Sequence, residues 1–322
     1  MKPHPALPIL VAVLLTAAIA SAGEYPAKPI RIIVQFTPGT STDILARIIA
    51  QKMGQDWGQQ VVVDNRPGAG GVVGTEMGAK ANPDGYTLTM AVSSAFGINP
   101  TLYPNTSYDV LRDFAPVSNL GLTPQTLVAS PAAAFKSVKE FVAAAKDKPG
   151  QINYASLGNG STSHLSMEMF RAAAAIGINH VPFKGSAEAH TQLIGGQIPV
   201  MFDAIPATLP QIKGGRLRGL GIATLKRSQF LPDLPTIAES GYAGFEAVGW
   251  IGIAAPAKTP VAILDKLSAE MVKIINAPDV QEKLATLAFT PVGDTRAQFA
   301  AFMKSEIAKW GKAVKDFGAK AD

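Results

Sequence analysis

The sequence of 322 residues contains no cysteine, and only 16% of its residues are charged. The absence of cysteine excludes a disulfide framework, a thiolate metal site and a lipid-modified N-terminal cysteine. No apolar run beyond residue 22 reaches the length of about 20 residues that a membrane-spanning helix needs. The hydrophobic fraction of 47% nevertheless describes a globular chain, and its length is enough for two domains.

The sequence also has little that would support nucleic-acid binding or catalysis. The net charge of +5 is spread along the chain, and no lysine and arginine cluster is interleaved with aromatic residues. His164, His180 and His190 have no metal-ligand spacing. Residues 39–43 lack the closing glycine of a nucleophile elbow. We therefore expect no nucleic-acid partner, no metal or other cofactor, and no enzyme.

The first 22 residues have the composition of a secretory signal peptide. Lys2 gives a positive start, residues 9–20 form an apolar stretch, and residues 20–22 make an A-x-A cleavage site. We predict cleavage after Ala22 and a mature protein in the periplasm. A retained N-terminal anchor is the alternative, although the apolar stretch is short for a membrane span.

A strand, a tight turn and a helix start follow one another within residues 31–47. Residues 32–34 form a short apolar run, and apolar residues recur at helical spacing from residue 44 to residue 53. A helix N-terminus behind a turn offers N–H groups and a positive dipole end to an anion. We predict a carboxylate-binding cradle here, with an ordinary capped turn as the alternative. Its residues are Pro38, Gly39, Thr40, Ser41, Thr42 and Asp43.

A second stretch repeats this arrangement. A strand over residues 152–155 precedes a loop of small polar residues, and a helix follows from residue 165. His164 is interpreted either as a general base or as a residue that orients its loop. The second interpretation has more support, because no nucleophile or orienting carboxylate stands beside it in sequence. The predicted ligand contacts of this loop are Ser156, Gly158, Asn159, Gly160, Ser161 and His164.

Other candidates follow further predicted strands and turns, since α/β proteins bind ligands beyond the carboxyl ends of their strands. On this ground we add Phe36, Ser93, Phe96, Lys184 and Asp203 to the predicted site. Asp203 suits an acid or base, a loop organiser or the partner of a ligand amine. The glycine turn of residues 68–71 lacks the third glycine of a dinucleotide fingerprint, so we assign it to turning and close packing.

Short motifs over nearly all of the chain beyond residue 22 carry a resemblance to a known family. They lie at residues 25–30, 38–47, 65–71, 82–88, 158–165, 180–185, 195–203 and 231–236. In this order they resemble the substrate-binding proteins of tripartite tricarboxylate transporters, the Bug or TctC-type family. The chain departs from the family in having Thr40 where a second glycine is common, and Phe96 where a histidine is frequent.

The resemblance implies an α/β Venus-flytrap fold, the two-domain fold of periplasmic binding proteins, with the ligand in the cleft. We place domain 1 in residues 23–122 and 248–322 and domain 2 in residues 123–247. The resemblance also implies carboxylate capture by the two loops through N–H groups, waters and hydroxyls such as those of Thr40 and Ser161. Membrane permease subunits are the expected partners of a monomer. A periplasmic enzyme acting on a small carboxylate and a ligand-presenting sensor domain are the alternatives.

Two cradles on opposite domains would face each other, which suits a dicarboxylate. Phe36 and Phe96, at the ends of the first and third predicted strands, are placed to border the spacer between its carboxylates. Because an aromatic wall favours a flat ring through stacking, we expect an aromatic dicarboxylate such as terephthalate. The alternative is that both phenylalanines are core residues under the loops.

Overall fold

The computed structural model describes residues 25–317, and the predicted signal peptide with its cleavage site lies outside them. None of the described helices combines the length and the apolar character needed to span a bilayer. The strands are β1 Ile30–Val34, β2 Val61–Asn65, β3 Thr87–Val92, β4 Phe114–Ala129, β5 Asn153–Ser156, β6 Asn179–Pro182, β7 Val200–Ala204, β8 Arg218–Ile222, β9 Val248–Pro256 and β10 Thr290–Pro291. The helices are α1 Ser41–Trp57, α2 Val72–Ala79, α3 Asn99–Leu102, α4 Val110–Asp113, α5 Val138–Asp147, α6 Thr162–Ala174, α7 Ser186–Ile194, α8 Ile205–Lys213, α9 Val261–Asn276, α10 Pro278–Thr286 and α11 Arg296–Phe317.

The strands lie side by side in the order β2-β1-β3-β9-β4-β7-β5-β6, and β8 and β10 also pair with β4. β1 pairs in parallel with β2 and β3, as expected of strands connected through helices. β5 likewise pairs in parallel with β6 and β7. The antiparallel strands β4 and β9 occupy the middle of this path and connect its two halves.

Strand β4 belongs to both halves of the molecule. It pairs with β9 as far as Pro124 and with β7 from Gln125 to Ala129. The sequence predicts two extended segments here, residues 117–120 and 126–130, because glycine and proline interrupt the pattern. The structure joins them in one strand of 16 residues. Proline is tolerated at residue 124 because β4 changes its partner there, so the missing N–H breaks no continuous ladder.

We call the half that contains β1–β3, β9, β10, α1–α4 and α9–α11 lobe 1, and the half that contains β5–β8 and α5–α8 lobe 2. Each lobe has a core of its own, built around the strands of that lobe. A smaller cluster joins the lobes, where Leu165 of α6 packs with Ile98, Trp310 and Val314 of lobe 1. This cluster buries apolar surface across the lobe boundary and so favours contact between the lobes.

The segment after β3 is a π-helical turn, Ser93–Ile98. Within it the Phe96 side chain is fully buried in the core of lobe 1, and its ring centroid lies 4.8 Å from that of Phe114. The structure therefore corrects the prediction that Phe96 borders the ligand. The π-helical turn directs Ser93 and Phe96 to different sides, a distinction that the small polar composition of the segment does not show.

We expect Phe96→Ala to lower the free energy of unfolding by about 3–5 kcal/mol, because it empties a packed core position. Urea denaturation measures this change. The order in which the protein prefers its ligands should not change, because the side chain lies beneath the turn and not at the ligand. A loss below about 1 kcal/mol together with a new ligand preference would contradict the core assignment.

Candidate ligand-binding cleft

The N-termini of α1 and α6 meet at the boundary between the lobes. Thr40 caps α1 by accepting a hydrogen bond from the Asp43 N–H at 3.4 Å, and Ser161 caps α6 by accepting from the His164 N–H at 3.2 Å. Each cap satisfies one N–H of the first turn, and the others have no partner within their helix. Both helices therefore direct donors and a positive dipole end towards the same space.

That space is an inner cleft of about 50 Å³, bordered by both lobes. A hydrogen bond of 2.9 Å between the hydroxyls of Ser93 and Thr162 crosses from one lobe to the other at its edge. Its lining combines hydroxyls from both helix starts with apolar and aromatic walls. The lining residues are Phe36, Thr40, Ser41, Thr42, Val92, Ser93, Ser94, Thr123, Gln125, Leu157, Ser161, Thr162, Ser163, Asp203, Ala204, Trp250 and Ile251.

Asp203 is the only charged residue in this lining. Its Oδ1 accepts a hydrogen bond from the Ala204 N–H at 2.8 Å, and its Oδ2 lies 3.0 Å from His190 Nε2. These last two atoms are close but are not aligned as a hydrogen bond. No lysine or arginine belongs to the lining, so an anion in the inner cleft is held by neutral donors and helix ends.

Two buried donors at the inner cleft, Ser41 Oγ and Trp250 Nε1, have no hydrogen-bond partner within residues 25–317. A buried polar group without a partner costs about 1–3 kcal/mol. A bound group that accepts from these donors would remove that cost. The inner cleft is therefore better suited to a ligand with hydrogen-bond acceptors than to an apolar ligand.

Asp43 supports the first loop from beneath. Its carboxylate accepts hydrogen bonds from the Gly39 N–H, the Asn65 amide and Arg47, each at 3.0 Å. Asn65 also donates to the Phe36 carbonyl at 2.9 Å, so both ends of the loop are held. Burial alone would raise the pKa of Asp43, but these donors together lower it below its ordinary value. The structure thus makes Asp43 a loop support and corrects its prediction as a ligand contact.

His164 and Ser156 support the second loop in the same way. The Gly160 N–H donates to His164 Nδ1 at 3.3 Å, and the His164 ring stacks on His180 with centroids 4.1 Å apart. Ser156 Oγ lies 2.5 Å from His180 Nε2 and accepts from the Gly158 N–H at 3.1 Å. Both side chains lie beneath the loop and outside the lining of the inner cleft. This corrects their prediction as ligand contacts and supports the interpretation that His164 orients its loop.

The remaining predicted contacts lie around the inner cleft rather than on it. An outer chamber of about 370 Å³ lies beside it, and Phe36 borders both spaces. The outer chamber is bordered by Gly158, Asn159 and Lys184. The exposed edge of the first loop is formed by Pro38 and Gly39. Gly160 is buried against lobe 1. Phe36, Thr40, Ser41, Thr42, Ser93, Ser161 and Asp203 are the predicted residues that the structure brings together at the inner cleft.

Sequence reasoning missed the lining residues that the crossing strands contribute. Thr123 and Gln125 of β4 and Trp250 of β9 border the inner cleft. Nothing in the local sequence marks them, because their position follows from the pairing of β4 with β9 and, at Gln125, with β7. Residues 162–163 did have a signal, since they follow their cap as residues 41–42 follow theirs.

We predict that Asp43→Asn lowers the free energy of unfolding at pH 7. Because folding lowers the pKa of Asp43, the ionised group stabilises the native state above its unfolded pKa, and this contribution is lost as the pH falls through the folded pKa. The free energy of unfolding of the variant should therefore fall less steeply than that of the wild type as the pH drops below about 4. Urea denaturation across pH measures both effects. The exposed Asp233→Asn is the control, and a wild-type pH profile in Asp43→Asn would contradict this role.

Comparison with known sequences agrees with this fold. The sequence profile described as "Tripartite tricarboxylate transporter family receptor" matches residues 45–319. The chain is 40% identical over 313 residues to Protein BugT of Bordetella pertussis, and the match covers 97% of this chain and 96% of BugT. Both matches extend over both lobes.

Two solved structures are similar over almost the whole described chain. The Rpa4515 protein of R. palustris with adipate is 32% identical with a TM-score of 0.90, covering 92% of this chain and 99% of that one. MatC from Rhodopseudomonas palustris with bound malate is 31% identical with a TM-score of 0.86, and the match covers 90% of this chain and 100% of MatC. Sequence and structure together show that this chain belongs to the tripartite tricarboxylate transporter receptor family, the TctC or Bug type, and has its two-lobed periplasmic binding protein fold.

Proposed function

We propose that the protein captures a small carboxylate between its lobes and delivers it to the membrane subunits of a tripartite tricarboxylate transporter. The inner cleft carries this proposal, because two helix N-termini border one space there and two of its lining residues, Ser41 and Trp250, have buried side-chain donors without a partner within residues 25–317. Export to the periplasm, with removal of residues 1–22, is part of the proposal and rests on the leader-like sequence.

Neutral donors are sufficient for this task. Hydrogen bonds from N–H and hydroxyl groups to a carboxylate are charge-assisted and about twice as strong as those between neutral groups. Each helix end adds about 0.3–1 kcal/mol at an exposed site and up to about 2 kcal/mol where it is partly buried. Exclusion of bulk water from a narrow cleft reduces the screening of these interactions. Binding then depends on the positions of the donors, so the cleft selects by geometry as well as by charge.

The two cradles face each other from opposite lobes, which supports a dicarboxylate. The family members described with adipate and with malate support the same class. Asp203 limits where the carboxylates lie, because its charge repels an anion placed beside it. We therefore assign the carboxylate ends to the N-termini of α1 and α6, and the space beside Asp203 to a hydroxyl or another donor of the ligand.

An aromatic dicarboxylate of the terephthalate kind is the second candidate. Phe36 supplies an aromatic wall for it, although Phe96 does not. The inner cleft of about 50 Å³ is smaller than the cavity of about 150 Å³ that is known to admit benzene. Adipate and terephthalate are both larger than benzene, so either would require wider separation of the lobes than the structure has. We favour the aliphatic class because the two similar structures are described with adipate and with malate.

We further propose that residues 23–122 with 248–322 move as one domain and residues 123–247 as the other. The change of partner along β4 between Pro124 and Gln125 supports this division. Beside it, the Gln125 N–H donates to the Ala247 carbonyl at 3.1 Å, where the chain returns to β9. Changes of backbone angle at these two crossings would separate the lobes and admit the ligand.

A screen by thermal shift, followed by calorimetry, tests the proposed function. We expect malate, adipate or a related dicarboxylate to stabilise the protein, by about 2.7 kcal/mol at a concentration one hundred times its dissociation constant. Adipamide, which has the length of adipate without its charges, is the matched control and should have no effect. Tighter binding of terephthalate than of every aliphatic acid would favour the aromatic class. No response to any mono-, di- or tricarboxylate would overturn the proposal.

Ser41→Ala and Thr40→Ala should separate binding from folding. Ser41 Oγ has no partner, so its loss should weaken dicarboxylate binding by about 1–3 kcal/mol with little change in stability. The Thr40 hydroxyl, also predicted to hold the ligand, caps α1 and donates to the Thr37 carbonyl at 3.2 Å. Thr40→Ala should therefore cost about 0.5–2 kcal/mol of stability. Calorimetry and urea denaturation of both variants measure this, and equal affinity in Ser41→Ala and wild type would remove Ser41 from the site.

A further inference from the structure

Three glycines lie where the lobes touch around the cleft. A Cβ added to Gly70 of lobe 1 would overlap the Asn159 carbonyl of lobe 2, and one added to Gly160 of lobe 2 would overlap the Asn99 side chain of lobe 1. A Cβ at Gly185 of lobe 2 would overlap Thr37 Oγ1 of lobe 1 and lie 3.2 Å from its Cβ. The two lobes approach so closely at these points that no side chain fits.

Gly185 differs from the other two in its backbone. Gly70 has a φ of 58° and Gly160 a φ of 74°, values that favour glycine whatever surrounds them. Gly185 has a φ of 179° and a ψ of 173°, an extended conformation that any residue adopts. The local backbone therefore does not require glycine at residue 185. The contact with the opposite lobe is the only observed constraint that excludes a side chain there.

The contact at Gly185 is close to the proposed carboxylate cradle. Gly185 precedes the first residue of α7, and the Thr37 hydroxyl donates to the carbonyl of the neighbouring Lys184 at 3.4 Å. A Cβ at Gly185 would also lie 3.6 Å from Cγ2 of Thr40, the cap of α1. Lobe 2 thus rests directly on the loop that presents the N-terminus of α1 to the inner cleft.

We propose that Gly185 is a positioning residue for lobe closure, and that its missing side chain lets lobe 2 seat on the Thr37–Thr40 loop. This rests on the proposed function, in which the ligand is bound between closed lobes. A side chain at residue 185 conflicts with lobe 1 only when the lobes are together, so a substitution raises the free energy of the closed form alone. The population then shifts towards separated lobes, and the apparent affinity falls with the closed fraction.

The variants Gly185→Ala and Gly185→Ser test this assignment. Serine is favoured at the residue before a helix, so Gly185→Ser preserves the start of α7 and with it the stability of the ligand-free protein. We expect both variants to bind adipate or malate about 5- to 150-fold more weakly than wild type, the range for an overpacked contact, with unchanged ligand-free melting temperature. Gly195→Ala is the matched control. It lies at the exposed opposite end of α7 with a φ of −74° and makes no contact with lobe 1.

Cross-linking measures closure without any ligand. The chain has no native cysteine, and the hydroxyls of Ser93 and Thr162 lie 2.9 Å apart across the cleft. The pair Ser93→Cys and Thr162→Cys should form a disulfide on mild oxidation, and Gly185→Ala in this background should slow its formation several-fold. Thr37→Ala removes the overlapping hydroxyl and should restore the rate, as a coupled pair requires.

The outcomes separate the two proposals. Equal cross-linking rates with and without Gly185→Ala would overturn the role of Gly185, and so would a slowed rate that Thr37→Ala does not restore. A wild-type protein that binds no carboxylate would overturn the proposed function, while the cross-linking rates would still decide whether Gly185 governs closure. If both Gly185 variants bind adipate or malate with wild-type affinity, the Thr37 side chain adopts another rotamer and lobe closure does not need glycine at residue 185.

Discussion

The meeting of two helix N-termini across the lobe boundary is the constraint on which the rest of this structure depends. The like dipole ends of α1 and α6 repel each other, and their first-turn N–H groups need acceptors. Contacts between the lobes hold this arrangement, among them the Ser93–Thr162 hydrogen bond and the apolar cluster around Leu165 and Trp310. In the proposed function, a dicarboxylate places one carboxylate at each helix N-terminus and so offsets this repulsion. Ligand binding and lobe closure are in this view one event.

The rest of the fold positions these two helix ends. Asp43 and the stacked His164 and His180 hold the two loops from beneath, so their donors are preorganised before a ligand arrives. Strand β4 connects the lobes and changes partner next to the inner cleft. The recognition groups that line the cleft are neutral except for Asp203. In the proposed function, selectivity would depend on donor positions and on one repulsive charge, since no basic residue lines the inner cleft.

Local patterns in the sequence were enough to place the elements and their ends near the cleft. The two turns that contain Thr40 and Ser161, and the helices that follow them, were predicted because small polar residues stand directly before a helical pattern. The parallel pairing of β1 with its neighbours likewise follows from strands that are connected through helices. These features depend on interactions between residues within one or two helical turns of each other, so the local sequence is enough to predict them.

The tertiary structure alone decided which side chains reach the cleft. Phe96 follows a strand end as Phe36 does, yet a π-helical turn buries it in the core. Gln125 and Trp250 border the cleft because β4 changes its partner beside the start of β9, and Gly185 meets lobe 1 only because Thr37 approaches it. A cleft between lobes is formed by residues far apart in sequence. Their proximity arises from packing free energy summed over the whole chain, which no local pattern contains.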